Sequence, residues 1–203
     1  MDMAPDSAAM AGVAVAAAAA GAALAVWCGG AAAPPEPSPA QVAEIVVAEG
    51  LKGKCALVTG AAGAIGAAVT RALQRAGVNV AMVDVSDKGL AAMEAELGAL
   101  PGGRVLPLTV DISDGAAIER AVARTKEEFG MPDILVNVAG ILSNNKLAET
   151  SVEEWEKVMN INVTAAFLLS KACCPAMAAK KWGRVVNITS WAWKSGGLTA
   201  VRA

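Results

Sequence analysis

The stretch KCALVTGAAGAIGAAVTRALQRAG (54–77) decides how the rest of the chain is read. KCALV (54–58) is a short apolar run of the kind that forms a buried parallel strand. TGAAGAIG (59–66) is a glycine-rich turn. Residues 64–76 place Ile65, Val69 and Leu73 on one helical face, and Gly77 stops the helix. Glycines let a backbone approach a pyrophosphate closely, and the helix that follows aims its first amides and positive dipole end at it. Tight turns use glycine for their own sake as well. The position within a strand–turn–helix unit is what favours the functional reading.

The same alternation continues outward. VNVAMVD (78–84) reads as a second strand, 87–99 as a helix, and RVLPLTVD (104–111) as a third strand. Asp114 caps a helix that runs to Phe129, and DILVN (133–137) is a fourth strand. Helix follows from Ser151 to about Lys181, broken or kinked near Asn160–Asn162 and at Pro175, before a fifth strand, RVVNIT (184–189). Strands alternating with helices at this spacing predict an α/β, Rossmann-type, doubly wound parallel sheet of about five strands. Asp84 ends the second strand about 20 residues after the glycine turn, where a carboxylate accepts hydrogen bonds from both ribose hydroxyls of an adenosine and repels a 2′-phosphate. The turn carries no Lys or Arg. Together these features favour NAD(H) over NADP(H), the alternative for Asp84 being a solvated strand end.

Composition narrows the chemistry. The 203 residues hold no His and no Tyr, which excludes His-based triads, His metal sites and a tyrosine acid or base. The formal net charge of −2 gives no sign of a nucleic-acid binder. Cys28, Cys55, Cys173 and Cys174 form no C-x-x-C pair, so neither structural zinc nor a disulfide framework is expected; buried small hydrophobes in a reducing compartment fit better.

Charge and composition divide the chain near residue 51. Residues 1–51 carry Asp2, Asp6, Glu36, Glu44 and Glu49 and no basic residue, whereas 52–203 hold 17 basic and 14 acidic residues. Ala8 to Ala33 is a run of 26 uncharged positions, 15 of them Ala, long enough to cross a bilayer as an Ala-rich helix. With acids before it and Lys52 and Lys54 first after it, a membrane anchor with a cytoplasmic domain is expected; the alternative is an extension without membrane role in a cytoplasmic protein. The organisation read from this is a 1–33 hydrophobic segment, a Pro-rich 34–50 linker and a 51–203 dinucleotide-binding domain.

Several motifs then resemble the short-chain dehydrogenase/reductase family over about 51–200. TGAAGAIG looks like its T-G-x-x-x-G-x-G cofactor loop, departing only at Ala64 with Gly63 just before it. Asp111 matches the Asp that contacts adenine, NVAG (137–140) looks like N-N-A-G, EWEKVMNINVTAAF (154–167) matches the fifth-helix pattern, and GRVVNITS (183–190) matches the fifth strand with the catalytic Ser. The resemblance implies hydride transfer between a nicotinamide and an alcohol or ketone, with small carbonyl or alcohol substrates of 3-oxoacyl type. It implies cofactor contacts at Thr59, Gly60, Gly63, Ile65, Gly66, Asp84, Asp111, Ile112, Asn137, Ala139 and Gly140, catalytic roles for Ser190 and Asn162, and no metal.

The family's proton donor is the Tyr of Y-x-x-x-K, about a dozen residues after the Ser. Here the sequence runs GGLTAVRA (196–203), and Lys194 stands too close to Ser190 to be the partner Lys. The expectation is therefore a chain truncated before that motif, with its sheet incomplete at the C-terminal edge. An open fifth strand and an uncovered helix face at Phe167, Leu168 and Cys174 predict self-association, although the family's homo-oligomer is in doubt for so short a chain. Three readings stay open: an oxidoreductase, a dinucleotide-binding but catalytically inactive form, and a remnant without ligand.

Overall fold

The computed structural model describes residues 50–143 and 145–190. The 1–33 segment, the Pro-rich linker, Lys194 and GGLTAVRA lie outside them. Five strands, β1 (Cys55–Thr59), β2 (Asn79–Asp84), β3 (Val105–Thr109), β4 (Ile134–Asn137) and β5 (Arg184–Asn187), form one parallel sheet in the order β3-β2-β1-β4-β5. The helices between them are α1 (Ala64–Arg75), α2 (Asp87–Gly98), α3 (Gly115–Phe129), α4 (Val152–Met159) and α5 (Ala165–Ala179). The chain reverses its direction of travel across the sheet between β1 and β4, which opens a crevice at their carboxyl ends. The doubly wound α/β fold expected from the sequence is the one found.

Alternate side chains of the strands feed two cores. Ala56, Val58, Val80, Met82, Ile134 and Val136 pack with residues of α1 and α2 on one face. Leu57, Ala81, Val83 and Leu135 pack with α3 and α5 on the other, against Ile118, Val122, Leu169, Cys173 and Met177. The central strand β1 is buried at all five positions. Burying one such Leu or Val side chain is worth about 1.5–3 kcal/mol, so β1 fixes the sheet from which the glycine turn projects.

The helix starts follow capping chemistry. Ser86, Asp114 and Ser151 each accept an N–H of the first turn, from Gly89, Ala116 and Glu154. Gly77 ends the first unit with φ +80°, a conformation only glycine adopts without strain. At the opposite end of the sheet from the crevice, Asp133 accepts from the Cys55 N–H (3.0 Å) and from Lys180 Nζ (2.8 Å), tying β1, β4 and the end of α5 together.

Three sequence expectations change. Near Asn160–Asn162, where a break or kink is expected, the regular helix is interrupted but not ended: α4 and α5 are joined by a π-helical turn, Asn160–Thr164, so one helix runs from Val152 to Ala179. Pro175 lies inside α5 without ending it. Of the helix face expected to be uncovered, Phe167 is 63% exposed, but Leu168 packs against the second core and Cys174 is half-buried. The apolar residues exposed along this helix are instead Val152, Trp155, Val163 and Phe167. Cys55 and Cys173 are buried and, with Cys174, free; no metal-binding cluster occurs among the described residues.

Candidate dinucleotide site

The glycine turn is held by backbone contacts that tolerate no side chain. Gly60 sits at φ +63°, and a Cβ there would meet the Ala139 main chain at 3.0 Å. A Cβ on Gly66 would fall 2.0 Å from the Gly60 carbonyl oxygen, so the first turn of α1 lies directly on the end of β1. Gly63 is the N-cap of α1 and offers no capping side chain, unlike the Ser and Asp caps of α2, α3 and α4. The start of α1, which follows β1 at the carboxyl end of the sheet, consequently has no side-chain cap, an arrangement an anionic phosphate can satisfy.

Neighbouring strands brace this turn. Thr59, buried at the end of β1, accepts through Oγ1 from the main-chain N–H groups of Val138 (3.1 Å) and Ala139 (3.2 Å). Those bonds lock the NVAG segment against the glycine turn. Asp84, half-buried at the end of β2, accepts from the Ala62 N–H through Oδ2 (3.0 Å) and from the Ser86 N–H through Oδ1 (2.9 Å). Each carboxylate oxygen keeps a further lone pair for a ligand hydroxyl.

The remaining expected residues divide into two groups. Asp111 is exposed beyond β3; the main-chain N–H and the side chain of Ser113, with Lys157 adding a smaller share, hold its carboxyl below the usual range. Gly140 lies beside Asn162, where a Cβ would stand 3.3 Å from Oδ1. Asn137 donates from Nδ2 to Asn187 Oδ1 (2.8 Å), while its own buried Oδ1 has no hydrogen-bond partner. By contrast, the Ile112 and Ala139 side chains pack into the second core and Ile65 against the first, so these three act through their backbone and their packing.

Asn162 spends both ends of its amide on one residue. Oδ1 accepts from the Ile141 N–H and Nδ2 donates to the Ile141 carbonyl, each at 2.9 Å. The π turn places it there, and the result is a fixed loop after β4. Ser190 follows β5 at the same carboxyl-end side of the sheet, where the Ile188 N–H still bonds the Asn137 carbonyl (2.9 Å).

Sequence reasoning missed the second brace on that loop. Glu154 accepts from the Ser143 hydroxyl and from Asn145 Nδ2, and both bonds keep its carboxyl below the usual range. The signal was faint: a Ser and an Asn 11 and 9 residues before a helix-start Glu. It also missed the Ala62–Asp84 bond, because the acceptor's role toward the turn is visible only once β1 and β2 lie side by side.

A family model for the short chain dehydrogenases matches residues 54–201. The chain is 39% identical over 146 residues to the 3-oxoacyl-[acyl-carrier-protein] reductase FabG of Haemophilus influenzae, which covers 72% of this chain and 59% of that one. Among solved structures it is similar to L-sorbose reductase from Gluconobacter frateurii in complex with NADPH and L-sorbose (TM-score 0.71, 29% identity, 74% of this chain and 57% of that one). It is similar also to a blue fluorescent protein from a metagenomic library in complex with NADPH (TM-score 0.68, 36% identity, 73% and 60%). The chain spans about half the length of the curated relatives it matches, 46%, 59% and 55% for three of them. It belongs to the short-chain dehydrogenase family. Both structural neighbours hold NADPH, so the comparisons support a nicotinamide dinucleotide without favouring NAD.

Proposed function

We propose that this chain binds a nicotinamide dinucleotide across the carboxyl ends of β1, β2 and β4, with NAD(H) preferred over NADP(H), in the service of hydride exchange with an alcohol or ketone of 3-oxoacyl type. The observation that carries the reading is the uncapped start of α1 behind a turn in which Gly66 contacts the Gly60 carbonyl. The residues fit the cofactor: open helix amides suit the pyrophosphate, and the Asp84 lone pairs suit ribose hydroxyls.

The cofactor supplies the hydride chemistry when bound. The protein's part is to bind, orient and exclude water. Thr59 and Asn162 hold the two loops that border the crevice, through Val138, Ala139 and Ile141. The Ser190 hydroxyl stands at the carboxyl end of β5, where an oxygen gaining charge would need a donor. The 203 residues contain no Tyr and no His, so taken by themselves they offer no strong proton donor, and their activity on this reading is binding. Titration with NADH, followed by the rise in nicotinamide fluorescence, tests the proposal. Saturable binding that is lost in Gly66→Ala supports it; no binding by the folded chain sinks it.

The uncharged run 8–33 supports attachment to a membrane, with the domain on the cytoplasmic side. A chain released into the supernatant by alkaline carbonate would contradict the attachment.

A further inference from the structure

The two ends of the sheet carry opposite charge. Asp84, Asp87, Asp111, Glu153 and Glu154 gather at the carboxyl ends of the strands, around the candidate site and outnumbering Lys88, Lys146 and Lys157 there, while Asp114 is paired with Arg120. At the other end the acids are already engaged: Glu96 with Arg71, Glu127 with Arg124, Glu128 with Arg104, and Asp133 with Lys180. Among the cations left at the amino-terminal end with no acidic partner among the described residues, Lys52, Lys54, Lys181 and Arg184 lie together.

These cations surround one aromatic ring. Lys54 Nζ lies 4.4 Å and the Arg184 guanidinium 5.0 Å from the centroid of the Trp182 ring, which is itself half-buried against the first core. Lys181 precedes the Trp in a left-handed turn (φ 54°), and Lys52 precedes β1. A Trp set among unpaired cations is the composition of a surface that meets a lipid headgroup layer, with the ring at the interface and the charges on phosphates.

We infer that the amino-terminal end of the sheet, formed by Lys52, Lys54, Lys181, Trp182 and Arg184, is a docking face for an anionic lipid bilayer, and that it turns the dinucleotide crevice away from the membrane. Two features select a membrane over other polyanions. The described residues begin with Gly50 and Leu51 at this same end, with the uncharged run 8–33 before them in sequence, and the more acidic crevice end would be repelled by anionic headgroups. The face is separate from attachment through 8–33, because it responds to lipid charge and salt while an inserted apolar segment does not.

Lysine acetylation footprinting of the full chain tests this without any substitution. With vesicles of phosphatidylcholine and about 30% phosphatidylserine at about 0.1 M salt, Lys52, Lys54 and Lys181 should be labelled at least about fivefold more slowly than without vesicles. Lys88 and Lys146, at the crevice end, should be unaffected, and high salt should restore labelling. A K52Q/K54Q/K181Q/R184Q variant, checked for folding by its melting curve, should lose at least about tenfold of its preference for anionic over neutral vesicles. Equal protection by neutral vesicles would show attachment through 8–33 alone and overturn the docking face. Equal protection by a single-stranded oligonucleotide would overturn the lipid assignment, as would no protection at all.

Discussion

Asp84 Oδ2 accepts a hydrogen bond from the main-chain N–H of Ala62, 3.0 Å away, so the carboxylate that ends β2 is also the acceptor that shapes the glycine turn after β1. On the proposed function, one residue therefore serves both halves of the candidate site: it holds the turn that would meet a pyrophosphate and sets the charge that an adenosine ribose would meet. A second oxygen, bonded to the Ser86 N–H, fixes the carboxylate's orientation from the side of α2.

The turn should not tolerate a methyl group. A Cβ on Gly66 would lie 2.0 Å from the Gly60 oxygen and 2.7 Å from its carbonyl carbon, both backbone atoms that yield only if the turn moves. Gly66→Ala is expected to cost about 1–3 kcal/mol in urea unfolding and to weaken NADH binding by at least about tenfold. Gly98→Ala, at the end of α2 with open space around it, should leave binding unchanged and raise stability by about 0.5–1 kcal/mol.

The buried thiols should be inert. Burial, with Asp133 nearby, pushes the Cys55 thiol up to about 12, and burial does the same to Cys173. A raised thiol value means less thiolate at any working pH, so at about pH 8 both stay protonated and unreactive. Mass spectrometry after iodoacetamide should find them unmodified in the folded protein and modified in denaturant; labelling of folded Cys55 would contradict the packing of β1.

The long helix and the last strand should drive self-association. Val152, Trp155, Val163 and Phe167 are 68%, 50%, 44% and 63% exposed along one helix, and Val185 is 38% exposed on the edge strand β5. Exposed apolar stripes and open parallel edges pair with other chains. Sedimentation velocity at micromolar concentration should show species larger than a monomer, shifted toward monomer by Trp155→Glu with Phe167→Ser. A single monomeric boundary for the unmodified chain would count against the exposed stripe as an interface.

Much of this was legible because it is local or periodic. The strand runs at 54–58 and 78–84, the Asp114 cap and the Gly77 stop need only neighbouring residues to act. What escaped depends on contacts distant in sequence. The chain near Asn160 reads as a helix break or kink; it stays helical through a π turn, from which Asn162 bonds the main chain of Ile141, 21 residues earlier. Gln74, of which the sequence pattern says nothing, is buried and donates toward the Leu97 and Leu100 carbonyls at and just past the end of α2. At the site, the glycine turn and Asp84 are visible as types in a pattern; the bond joining Asp84 to Ala62 needs the β1–β2 pairing to exist.

The 203-residue chain should not reduce carbonyls above background. Hydride delivery to a carbonyl carbon leaves charge on the oxygen, and general acid catalysis of its protonation is worth about 10²–10⁴-fold. The sequence has no Tyr and no His, and the side chain that the resemblance sets against that oxygen is Ser190, a weak acid. NADH oxidation with a panel of ketones and quinones should match a Ser190→Ala control; activity that disappears in the control would show this wrong.

The most direct test is a pair of dissociation constants, for NADH and NADPH, measured on the unmodified chain and on Asp84→Asn. The asparagine keeps an acceptor for the Ala62 amide and removes the negative charge. The account predicts that NADH binds the unmodified chain about 10- to 100-fold more tightly than NADPH, and that Asp84→Asn narrows that gap chiefly by improving NADPH binding. Equal constants for the two cofactors on the unmodified chain, or a gap that Asp84→Asn leaves intact, would contradict it.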